Sequence, residues 1–202
     1  MFKVVLIDLG GVVIEDTTKQ FYDLLCSRAC VLRRDALNAV SKHIPLLQKG
    51  LVNTLDFWAL VATELRIENH RDLVSIFQEE YKRYSKLNRR IINLLINLKR
   101  KGLLIVAISN TIPEHIAIDR HEERYNIFSE TVFSCEVGSI KPEKEIYNIA
   151  LQKLSVEPKE CIYIDDVKEF IDVASEMGMK AIHFTDYSTL EKELENILSI
   201  GW

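Results

Sequence analysis

The chain has 202 residues, 48% hydrophobic and 28% charged, and its 26 Lys+Arg and 30 Asp+Glu give a formal net charge of −4. This balance provides no broad basic surface, so it favours a small-molecule partner over nucleic acid or an anionic membrane. The 7 Gly and 4 Pro are too few for a linker-rich or low-complexity chain. The 4 Cys form no CxxC pair, so we expect reduced thiols and a cytoplasmic location.

The apolar segment 2–13 predicts a strand and not an address signal. Asp8 interrupts it, and neither a small-residue cleavage site nor a run of membrane-spanning length follows. Lys3-Val-Val-Leu-Ile-Asp8 is β-branched and apolar, ends in a carboxylate and continues into Gly10-Gly11. This pattern is typical of a buried parallel strand that enters a tight turn, which makes the turn the first candidate site.

Residues 17–87 contain helical patterns without a convincing strand. Thr17 or Thr18 is a candidate cap of a helix that ends near residue 32, and Thr54 of one that ends near residue 65. Residues 71–84 predict a third helix, and Phe57 and Trp58 are expected in the apolar core of this segment. We therefore expect an all-helical cap, inserted after the first strand, with hinges at residues 15–16 and 87–88.

Strands and helices alternate from residue 88 onward. Strands are predicted at 103–109, 161–166 and 180–184, with a weaker one at 131–135, and helices at 88–101, 143–154 and 168–177. This alternation predicts an α/β fold, a Rossmann-like three-layer core with a mainly parallel five-stranded sheet. The core would comprise residues 1–16 and 88–202, and ligands would bind beyond the carboxyl ends of its strands.

Polar clusters follow the predicted strands, namely Asp8-Leu-Gly-Gly11, Ser109-Asn110-Thr111, Lys141-Pro142 and Asp165-Asp166. An aspartate carboxylate can attack a phosphoryl group when a cation offsets the repulsion between the two anions. Asp8 is the candidate nucleophile, and Asp166, supported by Asp165, offers the hard oxygen ligands that Mg²⁺ prefers. Ser109 and Lys141 are candidate donors to the phosphate oxygens.

In this order and on this scaffold, the clusters resemble those of the haloacid dehalogenase (HAD) superfamily, in the branch with a helical cap between its first and second motifs. The resemblance covers essentially the whole chain. It implies that Asp8 is both nucleophile and metal ligand, that Asp166 and the backbone carbonyl of Gly10 also hold Mg²⁺, and that Asp165 supports them. Ser109 and Lys141 are implied phosphate-binding catalytic residues.

The resemblance further implies that Gly11 and Asn110 lie against the substrate, or that Asn110 orients Asp8. The implied reaction is Mg²⁺-dependent hydrolysis of a small phosphorylated metabolite through an aspartyl-phosphate.

Gly10 departs from the pattern of the superfamily, because its phosphatases usually hold a second aspartate there as general acid. The D-L-G-G-V form resembles a sub-branch that includes sugar-phosphate phosphatases. A better leaving group such as a sugar 1-phosphate, a proton donated by a cap residue or water, and a weak or inactive binding or regulatory relative are open explanations. Phe170 is a smaller departure, since many relatives carry Asp or Asn there.

A metal-independent 2-haloacid dehalogenase is the alternative, because these enzymes also lack the second aspartate. Their fourth motif, however, lacks an adjacent acidic pair. Asp165-Asp166 beside Asp8 would concentrate negative charge that a cation relieves, so we favour the phosphatase.

Overall fold

A computed structural model describes residues 1–198 of the chain. The strands in this range are β1 Val4–Ile7, β2 Leu104–Ser109, β3 Glu130–Phe133, β4 Cys161–Asp165 and β5 Lys180–His183. The α-helices in the same range are α1 Thr18–Ala29, α2 Arg33–Gln48, α3 Thr54–Leu65, α4 Ile76–Tyr84, α5 Arg89–Arg100, α6 Pro113–His121, α7 Ser134–Val137, α8 Lys144–Leu154, α9 Lys168–Glu176 and α10 Tyr187–Leu198.

The strands in residues 1–198 form one sheet in the order β3-β2-β1-β4-β5, and each neighbouring pair is parallel. This confirms the α/β fold with a five-stranded parallel sheet in the described range. Ile7 at the end of β1 is in register with Ala107 of β2 and Ile164 of β4. Because these strands end at the same level, the residues that follow them meet at one edge of the sheet.

The sheet is covered on both faces, which explains why β1 is a continuous apolar run without alternation. Val5 and Ile7 contribute to an apolar cluster with residues of α5 and α10. Val4 and Leu6 point to the other face and pack in a cluster with residues of α8 and α9. Since every residue of β1 is buried, its position in the middle of the sheet is fixed by both layers.

Helices α1 to α4, which we call the cap helices, pack around an apolar cluster of their own. Phe57 and Trp58 are fully buried in it, as the sequence predicts, and the rings of Phe21 and Phe77 stack with centroids 5.1 Å apart. The helix predicted over 71–84 is divided into a 3₁₀ turn, His70–Leu73, and α4.

The predicted threonine cap of α3 is wrong, and that of α1 is right in position only. Asn53, and not Thr54, is the N-cap of α3, where its side chain accepts a hydrogen bond from the backbone N–H of Asp56 at 2.9 Å. Thr17 is the N-cap residue of α1, but its side chain makes no capping hydrogen bond, and Asp16 instead accepts from the N–H of Thr18 at 2.9 Å. In both cases an acceptor just upstream in the chain satisfies the first turn of the helix.

The two chain segments that join the cap helices to the sheet are paired with each other. Glu15 N–H donates to Lys86 O at 2.9 Å, and Asn88 N–H donates to Val13 O at 2.8 Å. This pairing includes the predicted hinge residues Glu15 and Asn88. The domain boundaries at 16/17 and 87/88 stay a prediction, and residues 199–202, which the prediction assigns to the core, lie outside the described residues.

None of the helices in residues 1–198 combines the length and the apolar character that a membrane crossing requires.

Candidate active site

The carboxyl edge of the sheet brings the sequence-predicted site residues together. Asp8 directly follows β1, Ser109 is the last residue of β2, and Asp165 is the last residue of β4. The backbone N–H of Asp8 continues the ladder by donating to Ile164 O at 2.9 Å. These three side chains are buried, so the protein determines their electrostatics more than bulk water does.

Lys141 lies in the loop before α8 and binds two carboxylates at once. Its Nζ donates to Asp8 Oδ1 at 2.6 Å and to Asp165 Oδ2 at 2.7 Å, and the residue is 2% exposed. The peptide bond between Lys141 and Pro142 is cis. These two contacts hold the ammonium against the candidate nucleophile.

Asn110 holds the backbone of Lys141. Its Nδ2 donates to Lys141 O at 2.9 Å, and its Oδ1 accepts from Lys141 N–H at 2.7 Å. Its amide thus positions the lysine that binds Asp8, and the implied contact of Asn110 with the substrate stays a prediction. Because the Asn110 amide both donates to and accepts from the backbone of Lys141, it fixes the position and the orientation of this loop.

Phe170, at the start of α9, places its ring centroid 5.1 Å from Lys141 Nζ. An ammonium over an aromatic face is attracted by the negative potential of the ring. An Asp or Asn at this position would add an oxygen beside the site, whereas Phe170 adds an apolar cover over the ammonium. This departure from the resemblance thus alters the surroundings of Lys141.

Asp165 is held by two further donors that the sequence analysis missed. Tyr163 Oη donates to Asp165 Oδ2 at 2.5 Å, and Val167 N–H donates to Asp165 Oδ1 at 2.9 Å. The signal for Tyr163 is present in the sequence, because residues two apart on a strand point to the same face of the sheet. With these bonds Asp165 is a buried anchor for Lys141, and Asp8 and Asp166 are better placed as direct metal ligands.

Gly11 makes room for the carboxylate of Asp166. Gly11 has φ +79°, and a Cβ placed on it would lie 2.1 Å from Asp166 Oδ2, so a side chain at this position would strain the backbone and displace the carboxylate of Asp166. At Gly10, by contrast, an added Cβ would meet no described atom within 4 Å. The position where the superfamily usually has its second aspartate is therefore open space.

The electrostatics of the site follow from burial and from an excess of carboxylates. Burial raises the pKa of Asp8 to about 7; the Lys141 ammonium acts against this rise, and the charge of Asp165 adds to it. Burial and the charge of Asp165 also raise the pKa of Asp166. Burial acts to lower the pKa of Lys141, but Asp8 and Asp165 outweigh it, so that this pKa is raised and the ammonium stays charged.

The carboxylates suit a hard divalent cation. Asp8, Asp165 and Asp166 can each offer an oxygen such that these atoms all lie within 4.8 Å of one another. Carboxylate oxygens are the ligands that Mg²⁺ prefers, and a divalent charge would relieve the repulsion that raises the pKa of Asp8 and Asp166. The residues present thus fit the metal that the resemblance implies.

A cavity of about 290 Å³, which we call the catalytic cavity, opens at this edge of the sheet. It is lined by Asp8, Gly10, Gly11, Ser109, Lys141 and Asp166, among others. Asp165 is fully buried beneath it. The structure therefore places the predicted catalytic and metal-binding residues around one cavity, with Asp165 in support.

The chain is similar to known proteins both in sequence and in structure. Bifunctional epoxide hydrolase 2 of Mus musculus is 30% identical over 121 residues, which are 55% of this chain and 21% of that protein. Phosphorylated carbohydrates phosphatase of Thermotoga maritima is 29% identical over 82 residues, 39% of this chain and 37% of that protein. The chain thus spans only about a fifth of the length of the first of these relatives.

Among solved structures, a HAD family enzyme from Bacteroides thetaiotaomicron, in a magnesium complex, superposes with a TM-score of 0.78. The two are 21% identical, and the match covers 95% of this chain and 98% of that one, so it shows the shared fold. The family model described as haloacid dehalogenase-like hydrolase matches residues 2–178, which confirms the resemblance seen in the motifs. The chain therefore belongs to the haloacid dehalogenase-like hydrolase family.

Proposed function

We propose that the chain is a Mg²⁺-dependent phosphatase that hydrolyses the phosphate monoester of a small metabolite through an aspartyl-phosphate on Asp8. The observation that supports this most is the arrangement of Asp8 and Asp166 at the catalytic cavity, with Lys141 bridging Asp8 and Asp165. It combines a nucleophile, a cation and a set of metal ligands at one place.

Asp8 attacks phosphorus with a carboxylate oxygen. As the new O–P bond forms, the bond from phosphorus to the leaving oxygen breaks, and the leaving group departs with the electron pair. Water then attacks the phosphorus of the aspartyl-phosphate, which releases inorganic phosphate and restores the carboxylate. Lys141 donates to Asp8 Oδ1, so it orients the carboxylate that attacks.

Lys141 and Ser109 donate to the oxygens of the transferred phosphoryl group. Preorganised donors of this kind stabilise the charge that develops in the transition state. Asp8, Asp166 and the backbone carbonyl of Gly10 would hold Mg²⁺, which supplies a positive charge that offsets the repulsion between Asp8 and the phosphate. Gly11 makes room for Asp166, and Asn110 and Asp165 keep Lys141 in place.

Gly10 limits which substrates react well. Without a carboxyl at this position, the leaving oxygen receives no proton from the residue that usually supplies it, and loss of a general acid costs about 10²–10⁴ in rate. The rate falls less for substrates whose leaving group needs little protonation, such as the anomeric oxygen of a sugar 1-phosphate. The proposed substrates are therefore monoesters with stabilised leaving groups.

The assay that tests this proposal compares p-nitrophenyl phosphate with 2-chloropropionate. With Mg²⁺, we expect phosphate release from the first and no chloride release from the second. With EDTA, phosphate release should fall to below about 1% of its rate and return when Mg²⁺ is added in excess, because the metal offsets the repulsion between anions. Chloride release without a metal would show that the dehalogenase alternative is correct.

A further inference from the structure

A second cavity, of about 210 Å³, lies between the cap helices and the loop after β2, and we call it the cap pocket. Six of the 13 residues that line it are apolar or aromatic, namely Phe21, Tyr22, Val40, Ile44, Phe77 and Ile112. The space is large enough for a group of several non-hydrogen atoms, such as one ring.

The cap pocket is continuous with the catalytic cavity through shared lining residues. Thr18 and Asn110 line both. A linking cavity of about 190 Å³ is also lined by Thr18 and Asn110, and it reaches both Gly10 and His115. A phosphate at Asp8 would therefore place its leaving group beside Gly10, in the direction of the cap pocket.

Glu80, on α4, is a buried carboxyl in the lining of the cap pocket. It is 2% exposed, and its Oε1 has no hydrogen-bond partner in residues 1–198. Burial raises its pKa to about 7; a hydrogen bond with the Thr17 side chain acts against this rise, and the charge of Asp16 adds to it. In the described part of the chain this carboxyl thus has one polar partner and an oxygen left over.

His115, on α6, brings a second unpartnered polar atom to the same pocket. Its Nε2 is buried and has no hydrogen-bond partner in the described residues. The ring stacks on Tyr81 with centroids 3.9 Å apart, and burial lowers its pKa to about 3, so the imidazole is neutral. Buried polar atoms in native proteins are nearly always paired, so Glu80 Oε1 and His115 Nε2 indicate a ligand that pairs them.

We propose that the cap pocket binds the leaving group of the substrate as a neutral hydroxylated ring, and that Glu80 and His115 determine specificity by hydrogen-bonding its hydroxyls. This rests on the proposed phosphatase function. A hydroxyl both donates and accepts, so hydroxyls at two positions of one ring can pair the carboxyl oxygen and the neutral imidazole. A neutral ring also avoids the cost of burying an ammonium among the aromatic and aliphatic side chains of the pocket. The aromatic and aliphatic lining then contacts the C–H faces of the ring.

The test replaces Glu80 by Met, which keeps the length of the side chain and removes its polar atoms. Glucose 1-phosphate and cyclohexyl phosphate serve as substrates, because both carry one six-membered ring and only the first carries ring hydroxyls. The anomeric oxygen of glucose is also the better leaving group, so the change in the preference between wild type and variant measures the contribution of Glu80. We expect wild type to prefer the hydroxylated substrate by about 10² or more in kcat/KM, and Glu80→Met to reduce that preference by about 10-fold or more. Glu80→Gln, which keeps polar atoms in place, should retain most of it.

Glu79→Met is the matched control on the same helix. Glu79 lies next to Glu80 but is half-exposed and pairs with Arg28 on the surface, outside the lining of the pocket. The Glu79→Met variant should keep the preference for glucose 1-phosphate over cyclohexyl phosphate within about 2-fold of that of wild type. A wild type without preference, or equal losses on both substrates in Glu80→Met, would overturn the proposal and point to a structural role for Glu80.

A binding measurement separates this proposal from the phosphatase function. Methylene-phosphonate analogues of the two substrates cannot be hydrolysed, and calorimetry gives their affinities for wild type and for Glu80→Met. If wild type binds the hydroxylated analogue more tightly and Glu80→Met does not, the proposal for the cap pocket is supported. If, in addition, neither phosphate is turned over, only the proposed phosphatase function is refuted. Equal affinities of wild type for both analogues would refute the proposal while leaving the phosphatase assay to stand by itself.

Discussion

Asp8→Asn is expected to lower kcat/KM for p-nitrophenyl phosphate by about 10⁴-fold or more. Asparagine has nearly the shape of aspartate and still accepts a hydrogen bond from Lys141, but its amide is too weak a nucleophile to form the phosphorylated intermediate. Removing a covalent nucleophile typically costs about 10⁴–10⁶ in rate, or roughly 5–8 kcal/mol of barrier. Initial rates with Mg²⁺ measure this effect.

The variant should remain folded, which makes its loss of activity interpretable. Burial raises the pKa of Asp8 to about 7, so its charged form is disfavoured in the folded state and a neutral amide removes that cost. We therefore expect a Tm no lower than that of wild type. Equal and negligible rates for both proteins would contradict the phosphatase and favour a family member that binds ligand without turnover.

Lys141→Met is expected to damage both catalysis and stability. Without the ammonium, Asp8 and Asp165 face each other across a buried site, and the phosphoryl group loses a charged donor. Removal of one preorganised charged donor costs about 10²–10³ in kcat. Removal of one partner of a buried ion pair destabilises proteins by about 3–5 kcal/mol.

The stability loss of Lys141→Met should depend on pH, with a sign fixed by the carboxyls. In the variant Asp8 keeps a folded-state pKa above its unfolded value, because burial and Asp165 raise it and Lys141 no longer opposes them. When the pKa of a carboxyl group is higher in the folded than in the unfolded protein, the protein loses stability as pH rises from the unfolded-state towards the folded-state pKa. Wild type loses stability in the same way up to its own Asp8 pKa of about 7, so denaturant unfolding should show a deficit relative to wild type that grows mainly above about pH 6.

The double variant Lys141→Met/Asp165→Asn separates the two effects. Asp165→Asn removes the negative charge that faces Asp8, so the double variant should recover much of the stability lost at pH 8. It should recover little of the activity. A Lys141→Met protein as stable as wild type at pH 8 would contradict the buried charge arrangement.

The sheet could be predicted from the sequence because a strand buried on both faces is a short continuous apolar run, as in β1 and β4. The cap helices were harder to predict. The buried face of α2 is made largely by Ala36, Ala39 and Val40, small residues that give a weak apolar pattern, and Pro45 lies inside the helix. Around residue 74 the apolar spacing continues through a 3₁₀ turn, so periodicity alone does not reveal where α4 begins.

The clustering of Asp8, Ser109 and Asp165 could be predicted because parallel neighbouring strands end together. The hydrogen bonds from Asn110 to the backbone of Lys141 could not, since they depend on the path of a loop that no local pattern describes. The position of Glu80 in the cap pocket could not be predicted either, because this residue lies on a cap helix far along the chain from the site. Its place in the cap pocket follows from how the cap helices pack over the loop after β2.

The most direct test of the account is detection of the phosphorylated nucleophile. Wild-type protein is mixed with Mg²⁺ and a phosphate monoester, quenched in acid within one turnover, digested and analysed by mass spectrometry. We predict that the peptide containing Asp8 gains the mass of one phosphoryl group, and that the gain is absent in Asp8→Asn and without Mg²⁺. Phosphate release without any phosphorylation of Asp8, or a phosphoryl group on another residue, would contradict the account.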